Sequence, residues 1–174
     1  SVKSHGIPAF RAKQIFHWIY AHGATDFSQM KNLSRSLQTT LSEHFTISSI
    51  QPDNDSVSQE FTPEQTVKFL FRLSDGQHIE SVFIPSERAL RRNTICISSQ
   101  VGCAFACKFC ATGDMGFIRN LTVGESLDQV AWVNRWLGEA RGEKITNVVF
   151  MGMGEPLANF ENCLAAIEML TNPD

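Results

Sequence analysis

The 174-residue chain is 43% hydrophobic and 19% charged, with a formal net charge of −3, which suits one domain with a core of its own and a small appendage. No apolar run approaches the roughly 20 residues of a membrane-spanning helix, and the opening Ser1-Val2-Lys3-Ser4-His5 reads as polar rather than as a secretory signal. Clustered cysteines in such a chain suit a reducing interior rather than a secreted disulfide framework. The charge is uneven: residues 1–50 carry five bases (Lys3, Arg11, Lys13, Lys31, Arg35) against two acids (Asp26, Glu43), whereas residues 101–174 carry five bases against nine acids. A basic N-terminal piece is compatible with a nucleic-acid backbone, and equally with a solvated helical surface.

In chain order, Pro8 to His22 predicts a helix with Pro8 in its first turn. Its apolar stripe is Phe10, Ile15, Trp18 and Ile19, with Gly23 as C-cap and Trp18 read as core. Asp26 to Phe45 repeats the pattern with Phe27, Met30, Leu33, Leu37, Leu41 and Phe45, so residues 1–50 read as a small helical domain. Residues 51–65 are polar, with Pro52, Asp53, Asn54, Asp55 and Pro63, and read as a linker. From residue 66 the pattern changes to alternation. Residues 66–73 and 79–84 form two strands around the turn signal Asp75-Gly76, with Glu80 between apolar neighbours on the second. Residues 86–93 form a basic loop with Arg88, Arg91 and Arg92, and Thr94-Ile95-Cys96-Ile97 is a buried strand.

That strand leads into Ser98-Ser99-Gln100-Val101-Gly102-Cys103-Ala104-Phe105-Ala106-Cys107-Lys108-Phe109-Cys110, in which three of the five cysteines are spaced C-x3-C-x2-C. Three thiols on one loop suit an iron–sulfur cluster; a four-iron cluster held by three cysteines leaves one iron open to another molecule. Phe105 and Phe109 would shield it from water. Unrelated core cysteines and three-quarters of a zinc site are the competing readings, and structural zinc wants a second matching pair that the sequence lacks. Beyond the loop, Thr122-x-x-Glu125 is a capping box opening a helix to about Glu139, its inner face Val123, Leu127, Val130 and Val133 or Trp136. Residues 145–151 read as a strand buried on both faces, ending in Gly152-Met153-Gly154-Glu155-Pro156. A further helix carries Phe160, Leu164 and Ile167, with Asn159 as its cap. From Thr94 onward the alternation argues for parallel βα units with both loops at the C-terminal strand ends, where such folds place their sites. By itself the Gly-Met-Gly-Glu-Pro loop is a strand-to-helix turn with a solvated Glu; it lacks the Lys of a phosphate loop.

Taken together, C-x3-C-x-aromatic-C on one loop and Gly-Glu-Pro after the next strand resemble the radical S-adenosylmethionine superfamily. Cys96 through Cys103, Gly116 through Leu121, Asn147-Val148-Val149 and Met151 through Leu157 look like the RlmN/Cfr family of RNA adenine methyltransferases, as do Phe10 through Ile15 and Ile79 through Pro85. The resemblance implies an α/β fold. A partial (β/α) barrel of radical S-adenosylmethionine type, over residues 66–174, would be preceded by a small N-terminal helical domain, which contacts RNA, and a β-hairpin. It implies that Cys103, Cys107 and Cys110 hold a [4Fe-4S] cluster, that Gly154 and Glu155 bind S-adenosyl-L-methionine, that Cys96 resolves a protein–RNA adduct, and that Glu80 accepts a proton. Without the resemblance, Cys96 is an apolar core residue and Glu80 fits an exposed strand face. Cys163 matches no functional position and reads as core.

The implied reaction is methylation of carbon-2 of adenosine in 23S rRNA and tRNA. The carbon-8 chemistry of Cfr members and a non-catalytic RNA-binding fragment are the alternatives. Another radical S-adenosylmethionine enzyme, such as a glycyl-radical activase, would share the cluster motif without Cys96 or the N-terminal helices. The resemblance further implies a disulfide bond, an external electron donor such as flavodoxin, no membrane, a monomer and a cytoplasmic location. The methyl-carrying cysteine of the family belongs to a C-terminal region, so this chain reads as a piece of a longer protein that does not complete methyl transfer alone.

Overall fold

The computed structural model describes residues 7–53, 65–85 and 92–171. The chain divides into two compact units, one within residues 1–48 and the other over Ser49–Thr171. The expected basic-loop residues Arg88 and Arg91, and most of the stretch read as linker, lie outside the described residues.

In the first unit, α1 (Ala9–Tyr20) follows Pro8 as predicted and buries Ile15. Ile15 joins Ile7, Ala24, Phe27, Met30, Leu33 and Leu41 in a core against which Trp18, Ile19, Leu37 and Phe45 pack. Trp18 does belong to this core, and its Nε1–H donates to Asn32 Oδ1 at 2.6 Å. Phe10 does not: it is 57% exposed. The helix predicted from Asp26 to Phe45 is broken. A 3-10 turn over Phe27–Gln29 is capped by Asp26, and only Arg35–His44 is α-helical (α2), capped by Ser34, whose Oγ accepts the Leu37 N–H. Two side chains that outcompete the helical backbone for its own N–H groups set those starts.

The second unit is built on a five-stranded sheet in the order β1-β2-β3-β4-β7. Its strands are β1 (Ile50–Pro52), β2 (Val67–Leu73), β3 (His78–Pro85), β4 (Asn93–Cys96) and β7 (Asn147–Val149). The expected β2–β3 hairpin is present. The linker reading fails at its start, because Ile50 buries against the core and carries Gln51 and Pro52 into antiparallel pairing with Arg72 and Phe71. β4 and β7 are parallel and joined through α4 (Val123–Arg141), so β4–α4–β7–α5, with α5 at Phe160–Thr171, is a run of parallel βα units in a mixed α/β fold. β7 is not buried on both faces as predicted: it is shorter than the apolar run, Asn147 is exposed, and Val148 and Val149 are half-buried.

Strand alternation divides the sheet chemically. Val67, Phe69, Phe71, Leu73, Ile79, Phe83 and Ile95 share the face under α4. There Trp132 and Trp136 meet Phe69 edge-on at 5.4 and 5.0 Å, and Phe71 and Phe83 receive Trp132 and Trp136 at 5.3 and 5.8 Å. Each such contact adds about 0.5–1.5 kcal/mol beyond the area it buries. The register puts Lys68, Leu70, Glu80, Val82, Thr94, Cys96 and Val149 on the opposite face. α4 begins at the predicted capping box and ends on Gly142 in the left-handed conformation. Its buried face is Leu127, Val133 and Leu137, together with the polar Glu125, Ser126, Asp128 and Gln129.

Candidate functional site

Past Cys96 the backbone leaves the sheet and forms a two-stranded ribbon that hydrophobic periodicity did not predict. β5 (Gln100–Gly102) pairs antiparallel with β6 (Phe117–Asn120), and the cysteine loop and the short helix α3 (Ala111–Asp114) lie between them. The ribbon is anchored at its base. Arg119 donates two bonds to the Glu125 carboxylate, at 2.9 and 2.8 Å, and one to Asp75 Oδ2 at 2.7 Å. A planar guanidinium matches a carboxylate in this two-pronged way, and the three residues tie the β2–β3 turn to the start of α4.

Cys103, Cys107 and Cys110 thus share the loop that β4 and β5 feed, at the C-terminal end of a parallel strand. All five cysteines of the chain are free, so the implied disulfide joins no pair of them in this structure. Cys103 and Cys110 are half-exposed and Cys107 exposed. Backbone N–H groups of Thr112 and Gly113, with the Thr112 side chain, pull the Cys110 thiol below its ordinary range. Among the described residues no three His, Cys, Asp or Glu side chains converge as ligands of a single metal ion. Phe105 and Phe109, expected to shield a cluster, are 60% and 93% exposed, on a loop outside the hydrophobic core.

The Gly-Met-Gly-Glu-Pro loop lies directly against this loop's root. Ile97 N–H donates to Val149 O, Gly152 N–H to Ile97 O, and Ser99 N–H to Met153 O, at 2.9, 3.0 and 2.8 Å. The glycines are required by that approach. A Cβ on Gly152 would come within 2.8 Å of the Ile97 carbonyl, and one on Gly154, whose φ is +93°, within 2.4 Å of Gln100 Cβ. Glu155 caps the following 3-10 turn (Pro156–Asn159), accepting the Leu157 N–H at 3.0 Å. Asn159, read as a helix cap, is instead a bolt: its Nδ2 donates to Ser99 O and Leu121 O at 2.8 and 2.9 Å.

Cys96 and Glu80 share the sheet face opposite α4. Cys96 lies across from Val82, two residues along β3 from Glu80. Burial pushes the Cys96 thiol up, against a smaller opposing pull from the Met151 backbone, so at neutral pH it is protonated. Glu80 Oε1 accepts from Lys68 Nζ at 2.9 Å, and its backbone carbonyl accepts from Ser98 Oγ at 2.6 Å. That hydroxyl in turn takes the Met153 N–H at 2.9 Å, so one serine joins the Glu80 strand, the cysteine strand and the Gly-Glu-Pro loop. Cys163 is buried on α5, as expected.

Sequence reading passed over Ser98, Gln100, Asn120 and Gln129, which hold these pieces together. The available signal was three consecutive polar residues, Ser98-Ser99-Gln100, between a buried strand and the cysteines. All three are at most 2% exposed, and polar groups are buried only where partners await them.

A family model described as ribosomal RNA large subunit methyltransferase N-terminal domain matches residues 2–47. Among relatives, a probable dual-specificity RNA methyltransferase RlmN of Chloroherpeton thalassium is 80% identical over 99% of this chain and 47% of its own length. A dual-specificity RNA methyltransferase RlmN of Geotalea uraniireducens is 46% identical over 99% of this chain and 47% of its own length. A crystal structure of a radical SAM methyltransferase from Sphaerobacter thermophilus superposes with a TM-score of 0.85 at 42% identity, covering 99% of this chain and 48% of that one. The chain spans about half the length of the curated relatives it matches.

Proposed function

The chain belongs to the RlmN family, and from that premise we propose that the protein is a radical S-adenosylmethionine methyltransferase acting on carbon-2 of adenosine in 23S rRNA and tRNA. The observation that carries the reading is the hydrogen-bonded docking of the Gly-Glu-Pro loop on the root of a loop bearing three free thiols. The donor set suits a [4Fe-4S] cluster: three soft thiols, Cys103, Cys107 and Cys110, free and on one loop. Cys103, Cys107 and Cys110 would hold it. When bound, the cluster supplies the electron that cleaves S-adenosylmethionine and starts the radical chemistry.

The remaining roles belong to this chain's own residues. Gly154 brings backbone close to the cofactor, and Glu155, fixed by its bond to the Leu157 N–H, accepts from the cofactor's amino group. On the sheet face opposite α4 Glu80 takes a proton while paired with Lys68. Cys96 is kept protonated by burial until a base relieves it, and then acts as the resolving thiol. Residues 1–50 would contact RNA, and the sheet with its βα units would be the N-terminal part of a (β/α) barrel that carries these groups. The protein would work as a cytoplasmic monomer fed by an electron donor such as flavodoxin. No helix of the described residues is long and apolar enough to cross a membrane.

Anaerobic reconstitution with iron and sulfide tests the core of the reading. The protein should turn brown and give an electron paramagnetic resonance signal on reduction, and Cys107→Ala should abolish both. Retention of the signal in that variant would refute the ligand assignment. Mass spectrometry of reacted RNA should then find 2-methyladenosine; 8-methyladenosine would assign the Cfr-type chemistry instead.

A further inference from the structure

We infer that Gln100 is a positioning residue whose buried amide aligns the Gly-Glu-Pro loop with the cysteine loop, and so sets Glu155 to receive the amino group of S-adenosylmethionine. The inference rests on the reading above and deepens it.

Gln100 lies three residues before Cys103 and is 2% exposed. Its Oε1 accepts the Glu155 backbone N–H at 2.9 Å, and its Nε2 donates to Asn120 Oδ1 at 2.8 Å. Asn120 is its cross-strand partner in the ribbon, and Asn120 Nδ2 reaches the Ala158 carbonyl at 3.5 Å. The chemistry fixes every amide in this chain. A backbone N–H can only donate, so the Gln100 oxygen must face Glu155 and its nitrogen Asn120. The Asn120 oxygen must then face Gln100 and its nitrogen Ala158. The ribbon therefore grips the Glu155 turn at residues 155 and 158, while the backbone N–H groups of Ser99 and Gln100 both donate to Met153 O just before it.

Space-filling alone does not explain the residue. A buried amide costs free energy unless its polar atoms are bonded, and an apolar side chain would fill the same volume without that cost. Gly154 supports the same reading from the other side, since a Cβ there would displace the Gln100 side chain. One Glu155 carboxylate oxygen is held by Leu157, and no hydrogen bond to the other is found among the described residues. The backbone and one carboxylate oxygen are thus fixed and one acceptor is left over.

The test compares Gln100→Met, which fills the space without the bonds, with Gln100→Glu, which keeps an oxygen for the Glu155 N–H. Both are made in the intact protein, reconstituted anaerobically. Gln100→Met should hold as much iron and sulfide as the parent and melt within a few degrees of it. The S-adenosylmethionine concentration for half-maximal change of the reduced-cluster resonance should rise about tenfold, the effect of losing one hydrogen bond. Gln100→Glu should recover most of that loss. If Gln100→Met titrates like the parent, the inference is wrong and the functional reading stands. If Gln100→Met loses iron or unfolds and Gln100→Glu does no better, Gln100 is structural only. A parent that holds no cluster, or whose resonance ignores S-adenosylmethionine, overturns the functional reading and this inference with it.

Discussion

Gln129 has no exposed surface and four hydrogen bonds. It accepts from Ser81 Oγ and the Ser98 N–H at 2.7 and 2.8 Å, and donates to the Ser98 and Glu125 carbonyls, both at 3.1 Å. Replacing it with an apolar side chain of similar length strands the Ser98 peptide and the Ser81 hydroxyl in the core. Each unsatisfied group costs about 1–3 kcal/mol, so Gln129→Met should lower unfolding free energy by on the order of 3 kcal/mol, read from the urea midpoint. Arg119 supplies a different kind of residue-level constraint. Burial alone would raise the Glu125 carboxyl; bonds from Arg119 and Thr122 overcome it and hold the group below its ordinary 4.5. Asp75 is held below 3.8, chiefly by its Arg119 bond. A depressed folded-state pKa gives stability that is present above the unfolded value and lost as pH falls through the folded one. Melting temperature should therefore decline below about pH 4.5, and Glu125→Gln should flatten that decline while lowering stability at neutral pH. An unchanged acid slope in the variant would exclude Glu125 as the linked group.

At the scale of elements, α4 is held by its first turn as well as by its packed face. Thr122 Oγ1 takes the Glu125 N–H at 3.2 Å, and the Glu125 carboxylate takes the Thr122 N–H at 2.8 Å. Thr122→Ala removes half of that reciprocal cap and should cost about 1 kcal/mol, measurable by chemical denaturation; Thr122→Ser should restore most of it. This helix was legible in the sequence because local chemistry and packing agree. The capping box marks one end, and Leu127, Val130 and Val133 recur at helical spacing. Residues 26–45 mislead for the converse reason. Their apolar spacing is helical, yet Asp26 and Ser34 bond to nearby backbone N–H groups and start two separate turns, so periodicity alone overruns the break. The β5–β6 ribbon was illegible because its strands are three and four residues long and half polar; what stabilises it is Arg119, Gln100 and Asn159 reaching residues distant in sequence. Of the site, the thiols and the Gly-Glu-Pro loop could be read from local spacing. The amides that join them could not, since a buried glutamine carries no periodic signal.

At the scale of the molecule, the two compact units differ in charge, and that difference sets how a polyanion would engage the protein. Residues 1–48 carry five bases against two acids, and residues 49–171 ten against fifteen. Phosphate contacts should therefore fall mainly on the first unit. Arg11 is partly committed within it, donating to Gln14 and to the Asn32 carbonyl, whereas Lys13, Lys31 and Arg35 are exposed. Each phosphate neutralised releases counterions and steepens the fall of log affinity with log salt by about 0.7–0.9. Changing Lys13, Lys31 and Arg35 together to Gln should weaken binding of an RNA stem-loop and flatten that slope by about 2, measured by fluorescence anisotropy across a salt series. Melting temperature should hold, because exposed side chains contribute little to the fold. A uniform loss of affinity at unchanged slope would mean that the variant perturbs the unit without removing phosphate contacts. An unchanged slope and affinity would place the RNA elsewhere, and the basic surface would then be a solvated helical face. The slope is the deciding quantity, because it counts charges neutralised on binding and is insensitive to which base is later modified.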